Sequence, residues 1–270
     1  MGFLGNLFGN KQQQPILNDK ILPLMKAAEQ GDAKAQFILG VKYRVGEDVS
    51  KNEFQAVQWY RKAAEQGFAE AQFSLGLMYD DGCGVPQDNV QAAQWYRKAA
   101  EQGLAVAQLS LGWMYADGRG ISQNDAMAVQ WYIKAAKQGN GLAQRELGQR
   151  YAEGCGVPQS DIQAVQWYRK AAEQGIPEAQ LVLGLMHENG RCGIPRDNIQ
   201  AAQWYRKAAE QGLAEAQYNL GWMYGDGRGV PKDYVQSLEW TRKAAEQGHE
   251  EAIKLLKLIL EGLKRLESLK

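Results

Sequence analysis

The chain has 270 residues, of which 45% are hydrophobic and 23% are charged, as in an ordinary folded protein. Its 31 basic and 31 acidic residues balance, so the net charge gives no reason to expect binding to nucleic acid or to an anionic membrane. No stretch approaches the roughly 18 to 20 apolar residues that span a bilayer. The first residues, MGFLGNLFGNKQQQ, lack the basic region of a secretory signal. We therefore expect a cytoplasmic protein without stable membrane insertion.

The first predicted segments are a flexible tail over residues 1–14 and a capping helix over residues 15–31. The sequence of the second segment aligns with the later copies of a repeated helix, but Pro23 stands where those copies carry tryptophan. Proline removes a backbone donor and clashes with the preceding turn. We expect this capping helix to be short or kinked at that point.

Most of the chain repeats one segment of about 36 residues, a period typical of a solenoid. Each unit of a solenoid buries its apolar face only against its neighbours. We predict six repeats, over residues 32–67, 68–103, 104–139, 140–175, 176–212 and 213–248, followed by a capping helix over residues 249–270. The glycines that close the successive copies are Gly31, Gly67, Gly103, Gly139, Gly175, Gly212 and Gly248.

Each repeat predicts two helices, and the copy over residues 68–103 shows both. Ala71, Leu75 and Tyr79 share one face of a first helix, which we name helix A. A glycine-containing loop follows, and then a second helix, helix B, which ends at Gly103. The residues that stay fixed between repeats are expected to form the core, including the helix B tryptophans Trp59, Trp95, Trp131, Trp167, Trp204 and Trp240.

Two further columns define the geometry of the pair. Good N-cap residues precede every helix B, and glutamine three residues later completes a predicted capping box in five of the six copies. A glycine also recurs inside helix A, where it costs about 1 kcal/mol relative to alanine. We expect helix A and helix B to cross closely at that glycine. The N-caps are Asn52, Asp88, Asn124, Ser160, Asp197 and Asp233, and the glycines are Gly40, Gly76, Gly112, Gly148, Gly184 and Gly221.

The repeated motifs resemble the Sel-one-like repeat family, which is related to the tetratricopeptide repeats. The resemblance covers residues 32 to 248 and is carried by AEAQ-x-x-LG-x-MY, DG-x-GVP and A-x-x-WYRKAAEQG. It implies an all-α, right-handed superhelix of antiparallel helix pairs with helix A on the concave side. It also implies a non-enzymatic adaptor or scaffold role in protein–protein interaction, often in bacteria. Secreted cysteine-rich members staple each repeat with a disulfide, a pattern absent here, and we expect Cys83, Cys155 and Cys192 to be free thiols.

Two columns of helix A vary between repeats. Residues four apart share a helical face, and by analogy with tetratricopeptide repeats that face lines a groove. Trp, Tyr and Arg are also the residue types that dominate binding energies. The alternative is that these side chains pack against the next repeat. Column 1 is Phe37, Phe73, Leu109, Arg145, Leu181 and Tyr218, and column 2 is Val41, Leu77, Trp113, Gln149, Leu185 and Trp222.

Acidic residues at the end of helix A predict an acidic rim, whereas Arg-Lys pairs on helix B predict a basic outer ridge. Arg97 has Glu101 four residues later, which is typical of a solvated helix face. An acidic, aromatic groove favours a protein or peptide with a basic or amphipathic segment. The predicted partner-binding surface is Phe73, Leu77, Asp81, Leu109, Trp113, Asp117, Arg145, Gln149, Leu181, Leu185, Tyr218, Trp222 and Asp226.

No catalytic residue, cofactor site or metal site is predicted. His187 replaces a recurrent tyrosine, and together with Cys192 it supplies only two candidate metal ligands. No phosphate-binding glycine motif is present. Two alternatives to an adaptor stay open: an immunity-type inhibitor that neutralises one specific partner, and an RNA-binding helical array, which would need a basic groove.

Overall fold

A computed structural model describes the backbone of residues 21–267 and the side chains up to residue 261. This part of the chain contains fourteen helices and no strand. The chain divides into two compact units, Met1–Gln123 and Asn124–Lys270. The predicted tail, the beginning of the predicted N-terminal cap and residues 268–270 lie outside the described residues.

Both units consist of helices that pack on their neighbours in sequence, which confirms the all-α solenoid class. The helices of the first unit are α1 (Leu22–Glu29), α2 (Ala33–Val45), α3 (Glu53–Glu65), α4 (Ala69–Asp81), α5 (Asn89–Glu101) and α6 (Ala105–Asp117). Those of the second unit are α7 (Asp125–Lys137), α8 (Gly141–Glu153), α9 (Asp161–Glu173), α10 (Pro177–Asn189), α11 (Asn198–Glu210), α12 (Ala214–Asp226), α13 (Tyr234–Glu246) and α14 (Glu250–Glu267). Even-numbered helices from α2 to α12 are helix A, and odd-numbered helices from α3 to α13 are helix B.

The two helices of a pair close around a glycine that faces a tyrosine ring. A Cβ atom placed on Gly76 of α4 would lie 2.7 Å from the ring of Tyr96 on α5, which is closer than real Cβ contacts come. This confirms the close crossing that the recurrent glycine predicts. The same arrangement is present at Gly40 with Tyr60, Gly148 with Tyr168, and Gly184 with Tyr205.

The fully buried aromatic residue of helix B is tyrosine, and the prediction of a tryptophan core is only partly right. Tyr60, Tyr96, Tyr132 and Tyr205 are among the largest fully buried side chains. Trp59 and Trp131 are buried, whereas the other helix B tryptophans are half-buried. A lysine three residues later covers each indole, from Lys134 at 3.7 Å to Lys170 at 4.3 Å from the ring centre. The lysine stem therefore completes the burial of a tryptophan at the surface.

The predicted N-caps of helix B are confirmed, but the second half of the capping box is not formed. The Asp88 carboxylate accepts hydrogen bonds from the backbone N–H groups of Val90 and Gln91. The Asp88 N–H donates to the carbonyl of Tyr79 at 2.9 Å and not to the Gln91 side chain. Because the preceding helix already supplies an acceptor, the glutamine has no backbone donor to satisfy. The same helix A carbonyl serves the N-caps Asn52, Ser160, Asp197 and Asp233.

A column of buried glutamines, which the sequence analysis missed, links successive helices. Gln72 on α4 donates to the carbonyl of Ala64 on α3 at 3.1 Å and accepts from Gln102, after α5, at 2.7 Å. One side chain thus adds a hydrogen bond to a carbonyl at a helix end, which also accepts from the Gly67 N–H, and joins three consecutive helices. The glutamine that ends each repeated AEAQ motif is the sequence feature that could have indicated this role. The equivalent residues with both bonds are Gln36, Gln144, Gln180 and Gln217.

Candidate functional site

Column 1 of helix A packs on neighbouring helices. The ring of Phe73 lies 5.6 Å from that of the buried Tyr96, and Tyr218 stacks on His249 at 4.8 Å. Leu109 is only 4% exposed and belongs to the core. These contacts are the ones expected for side chains that hold adjacent helices together.

Of the other members of column 1, Phe37 packs on Tyr60 and Phe68 in the first unit, and Leu181 and Arg145 lie in the second unit. Leu181 packs against the core that α11 and α12 form. Arg145 makes an ion pair with its buried neighbour Glu146. In the same helix, Arg150 contacts the Asp125 carboxylate at 3.1 Å. The charged interruption of this repeat is therefore neutralised within the chain, because both arginines face carboxylates of their own unit.

The two columns differ in accessibility at single members. Leu185 of column 2 is 37% exposed and Leu109 of column 1 is 4% exposed, whereas Leu77, Trp113, Gln149 and Trp222 are half-buried, like most of column 1. Gln149 donates to Glu153 one turn later. Column 2 therefore contributes one clearly exposed apolar residue, Leu185, to the predicted surface.

Trp222 is the column 2 residue with the best-defined surroundings. The guanidinium of Arg228, which comes from the loop after α12, lies 4.0 Å from the centre of its ring. Arg228 also approaches the carboxylates of Asp226 and Glu188, at 3.5 and 3.7 Å. Stacking between an arginine and an indole fixes the ring without burying it, so the tryptophan face stays positioned at the surface.

The predicted acidic rim is partly neutralised. The side chains of Asp117 and Asp226 are exposed, but each has an arginine two residues later, Arg119 or Arg228, whose Nε lies 3.5 Å from a carboxylate oxygen. Asp81 is exposed and has no ion-pair partner among the described residues. Of the three predicted acidic site residues, Asp81 thus presents the most available negative charge.

Other helix A carboxylates are engaged by buried tyrosines. The hydroxyl of Tyr96 donates to Asp80 at 3.2 Å, and Arg119 contacts the same carboxylate at 3.0 Å. Burial, with the adjacent carboxylate, raises the pKa of Tyr96 well above its ordinary value. In the second unit, burial and the nearby Glu153 raise the pKa of Tyr168 to about 12. Both hydroxyls therefore stay protonated, and that of Tyr96 acts as a donor.

The basic residues of helix B are also engaged. Arg97 donates to the hydroxyl of Tyr115 on α6 at 3.1 Å, and the predicted pair with Glu101 is not formed. Arg61 donates to Tyr79 in the same way at 2.8 Å. The Arg-Lys motif consequently serves packing between repeats: arginine bonds the next tyrosine while lysine covers a tryptophan.

The described residues contain no group of three or more His, Cys, Asp and Glu side chains that could hold a metal ion. Cys83, Cys155 and Cys192 are half-buried free thiols. Within residues 21–267, none of the helices combines the length and apolar character needed to cross a bilayer.

Comparison with known proteins places this geometry in a family. The Sel1 repeat model matches six consecutive segments, residues 33–68, 69–104, 105–140, 141–176, 177–213 and 214–249. The chain belongs to the Sel1 repeat family. The resemblance to Sel-one-like repeats is thereby confirmed, and Sel1 repeats generally mediate protein–protein interaction. No curated protein matches the chain significantly.

Two solved Sel1-type structures are similar to this chain. One is c5321, a protective antigen present in uropathogenic Escherichia coli strains that displays the SLR fold; it is 44% identical, with a TM-score of 0.86 over 91% of this chain. The chain spans only 52% of the length of that antigen. The other is a Sel1 repeat protein from Oxalobacter formigenes, 40% identical, with a TM-score of 0.76 over 83% of this chain and 89% of the other. Both support the fold and the family.

Proposed function

We propose that the chain is a non-enzymatic binding scaffold whose column 2 residues on helix A contact a protein or peptide. The observation that carries the proposal is the difference between the two columns. The members of column 1 described above pack on neighbouring helices or form an ion pair, whereas column 2 contains the exposed Leu185 and the half-buried Trp222, whose ring Arg228 holds in place. Aromatic side chains held in place before binding lose little conformational entropy when a partner arrives, which favours affinity.

The experiment that tests the proposal is affinity capture from cell lysate with quantitative mass spectrometry. Wild-type protein is compared with Trp113→Ala and Trp222→Ala, one substitution in each unit. Phe54→Ala and Tyr234→Ala are matched aromatic controls, because Phe54 and Tyr234 are 59% and 69% exposed at the start of helix B. We expect a partner whose recovery falls in the tryptophan variants and not in the controls. Equal recovery with all four folded variants contradicts the proposal.

The proposed partner segment is basic or amphipathic, and Asp81 is the residue that tests this. Its carboxylate is exposed and unpaired among the described residues, so a cationic partner would pair with it. We expect Asp81→Asn to slow association with the captured partner and to reduce the salt dependence of that rate, since exposed charges act mainly through long-range attraction. Asp117→Asn is the control, because Arg119 already faces that carboxylate. An unchanged rate and salt dependence in Asp81→Asn would show that the partner is not recognised by charge.

A further inference from the structure

An unusual cleft lies in the second unit, away from column 2. It has a volume of about 930 Å³ and lies between α9 and the loop that follows α10. Its apolar lining includes Ile162, Val165 and Ile194, and His187 and Arg169 contribute its polar groups. Pockets of about 300 to 1,000 Å³ are typical of sites for small molecules.

The next repeat contains the matching cleft and provides an internal comparison. That cleft lies between α11 and the loop after α12, is lined by the corresponding Ile199, Arg206 and Val230, and has a volume of about 380 Å³. A separate, more open depression of about 620 Å³ adjoins it at Pro231. Several sequence differences distinguish the pair, among them Val165 and Ile194 in the larger cleft for Ala202 and Val230 in the smaller one. The helix A residue is Tyr224 in the smaller cleft and His187 in the larger one, and the loop of the larger cleft contains one additional residue. Within that longer loop, Cys192 has a φ of 57°.

The exchange of tyrosine for histidine leaves an arginine without its usual partner. Arg206 donates to the hydroxyl of Tyr224, as Arg61 and Arg97 do to the tyrosines that follow them. Arg169 occupies the same position on α9 but faces His187, and it has no hydrogen bond or ion pair among the described residues. A guanidinium beside an apolar cleft is therefore available for an acceptor from outside the chain.

A second polar atom at the cleft is also unsatisfied. Nδ1 of His187 is buried and has no hydrogen-bond partner in the described part of the chain. Because this atom has no exposed surface, the group that the cleft offers to a ligand oxygen is the exposed guanidinium of Arg169.

We propose that this cleft binds a small aromatic carboxylate. The aromatic ring would contact Ile162, Val165 and Ile194, and the carboxylate would accept from Arg169, whose planar guanidinium matches a carboxylate with two parallel hydrogen bonds. The charges of the lining agree with an anion, because Arg169 and Lys170 outnumber Glu173. In the neighbouring repeat, Tyr224 supplies an aromatic ring and a hydroxyl oxygen that accepts from Arg206. The ligand would supply the corresponding ring and oxygen where this repeat carries His187.

The test is isothermal titration calorimetry of the full chain with 4-hydroxyphenylacetate as the probe. We expect saturable binding that weakens at least tenfold in Arg169→Gln and in His187→Tyr, the second because an internal hydroxyl again occupies the guanidinium. His187→Tyr should fold normally, since tyrosine stands at the corresponding position in the other five repeats. Arg206→Gln in the smaller cleft is the matched control and should leave the affinity unchanged. The related phenol p-cresol, which lacks the carboxylate, should bind at least tenfold more weakly.

Three outcomes overturn the proposal: no saturable binding up to about 10 mM probe; equal affinity in wild type and His187→Tyr; or equal affinity for p-cresol. Circular dichroism of each variant separates a loss of binding from a loss of fold. The cleft shares no residue with column 2, so either site can fail without affecting the conclusion about the other.

Discussion

At the scale of single residues, the fold depends on small side chains where helices meet. Glycine is a poor helix former, yet it recurs inside helix A because the tyrosine ring of helix B leaves no space for a methyl group. The hydroxyl of such a tyrosine can reach a carboxylate, as Tyr205 reaches Glu188 at 2.7 Å, but the equally buried Tyr60 has no hydrogen-bond partner for its hydroxyl among the described residues. The glycine therefore leaves the space that the tyrosine ring fills.

Replacement of Gly76 by alanine should destabilise the first unit. The new Cβ would lie 2.7 Å from the Tyr96 ring, so overpacking should lower the free energy of unfolding by about 1 to 3 kcal/mol despite the better helix propensity of alanine. Gly225→Ala is the matched control on α12, where the nearest atom is the Ser237 hydroxyl at 3.0 Å and the next contact is at 3.8 Å. It should leave stability unchanged or raise it by up to about 1 kcal/mol. Urea denaturation measures both; equal effects would contradict the close crossing.

Replacement of Gln72 by methionine should also be costly, although the shape of the side chain is nearly conserved. It removes the hydrogen bonds with Ala64 and Gln102 from a buried position, and we expect a loss of about 1 to 3 kcal/mol in the free energy of unfolding. Gln94→Met is the control at an exposed position of α5, with an expected change within about 0.5 kcal/mol. A Gln72 variant as stable as the control would show that the glutamine column does not stabilise the stack.

At the scale of helices, the residue at which a helix begins follows from its own N-cap side chain. The hydrogen bonds that complete the cap also depend on the neighbouring helix. Asp88 caps α5 as its side chain chemistry predicts. The reciprocal bond from Gln91 is absent because the carbonyl of Tyr79 already accepts from the cap residue. The backbone hydrogen bond between Asp88 and Tyr79 thus closes the loop between helix A and helix B.

This arrangement predicts unequal effects for two substitutions in the same turn. Asp88→Ala should lower the free energy of unfolding by about 1 kcal/mol, because two backbone donors lose their acceptor. Gln91→Ala should change it by less than about 0.5 kcal/mol, since the glutamine side chain makes no capping bond. Chemical denaturation measures the free energy of unfolding of both variants. An equal loss in Gln91→Ala and Asp88→Ala would show that the glutamine takes part in capping.

Sequence reasoning predicted the features that depend on nearby residues. The N-caps, the glycine crossing and the helix pairs all follow from spacings within one repeat. It missed the role of Gln72, because the partner Gln102 lies 30 residues away and a lone glutamine resembles a surface residue. Sequence reasoning also placed Phe73 and Leu77 together on the predicted partner-binding surface. Residues four apart do share a helical face, but only contacts with the adjacent helices show which of them is covered.

At the scale of the whole molecule, the repeated residues form the framework and the differences between repeats supply the candidate sites. The helix B arginines and the buried glutamines recur because they bond one repeat to the next, and the lysines recur because each covers the tryptophan of its own helix. Column 2 differs from repeat to repeat along helix A. His187, which lines the same cleft as Arg169, replaces a tyrosine that the other five repeats share. These departures motivate the two proposals, one for a protein partner and one for a small anion.

The dissociation constant of the captured partner tests the central claim most directly. It should be measured by calorimetry for wild type, Trp222→Ala, Leu185→Asp and the helix B controls Tyr234→Ala and Val235→Asp, with circular dichroism to verify the fold. The account predicts that both column 2 substitutions weaken binding at least tenfold, or about 1.4 kcal/mol, while both controls stay within twofold of wild type. Equal affinity for all five folded proteins, or weakening confined to the helix B variants, would contradict it.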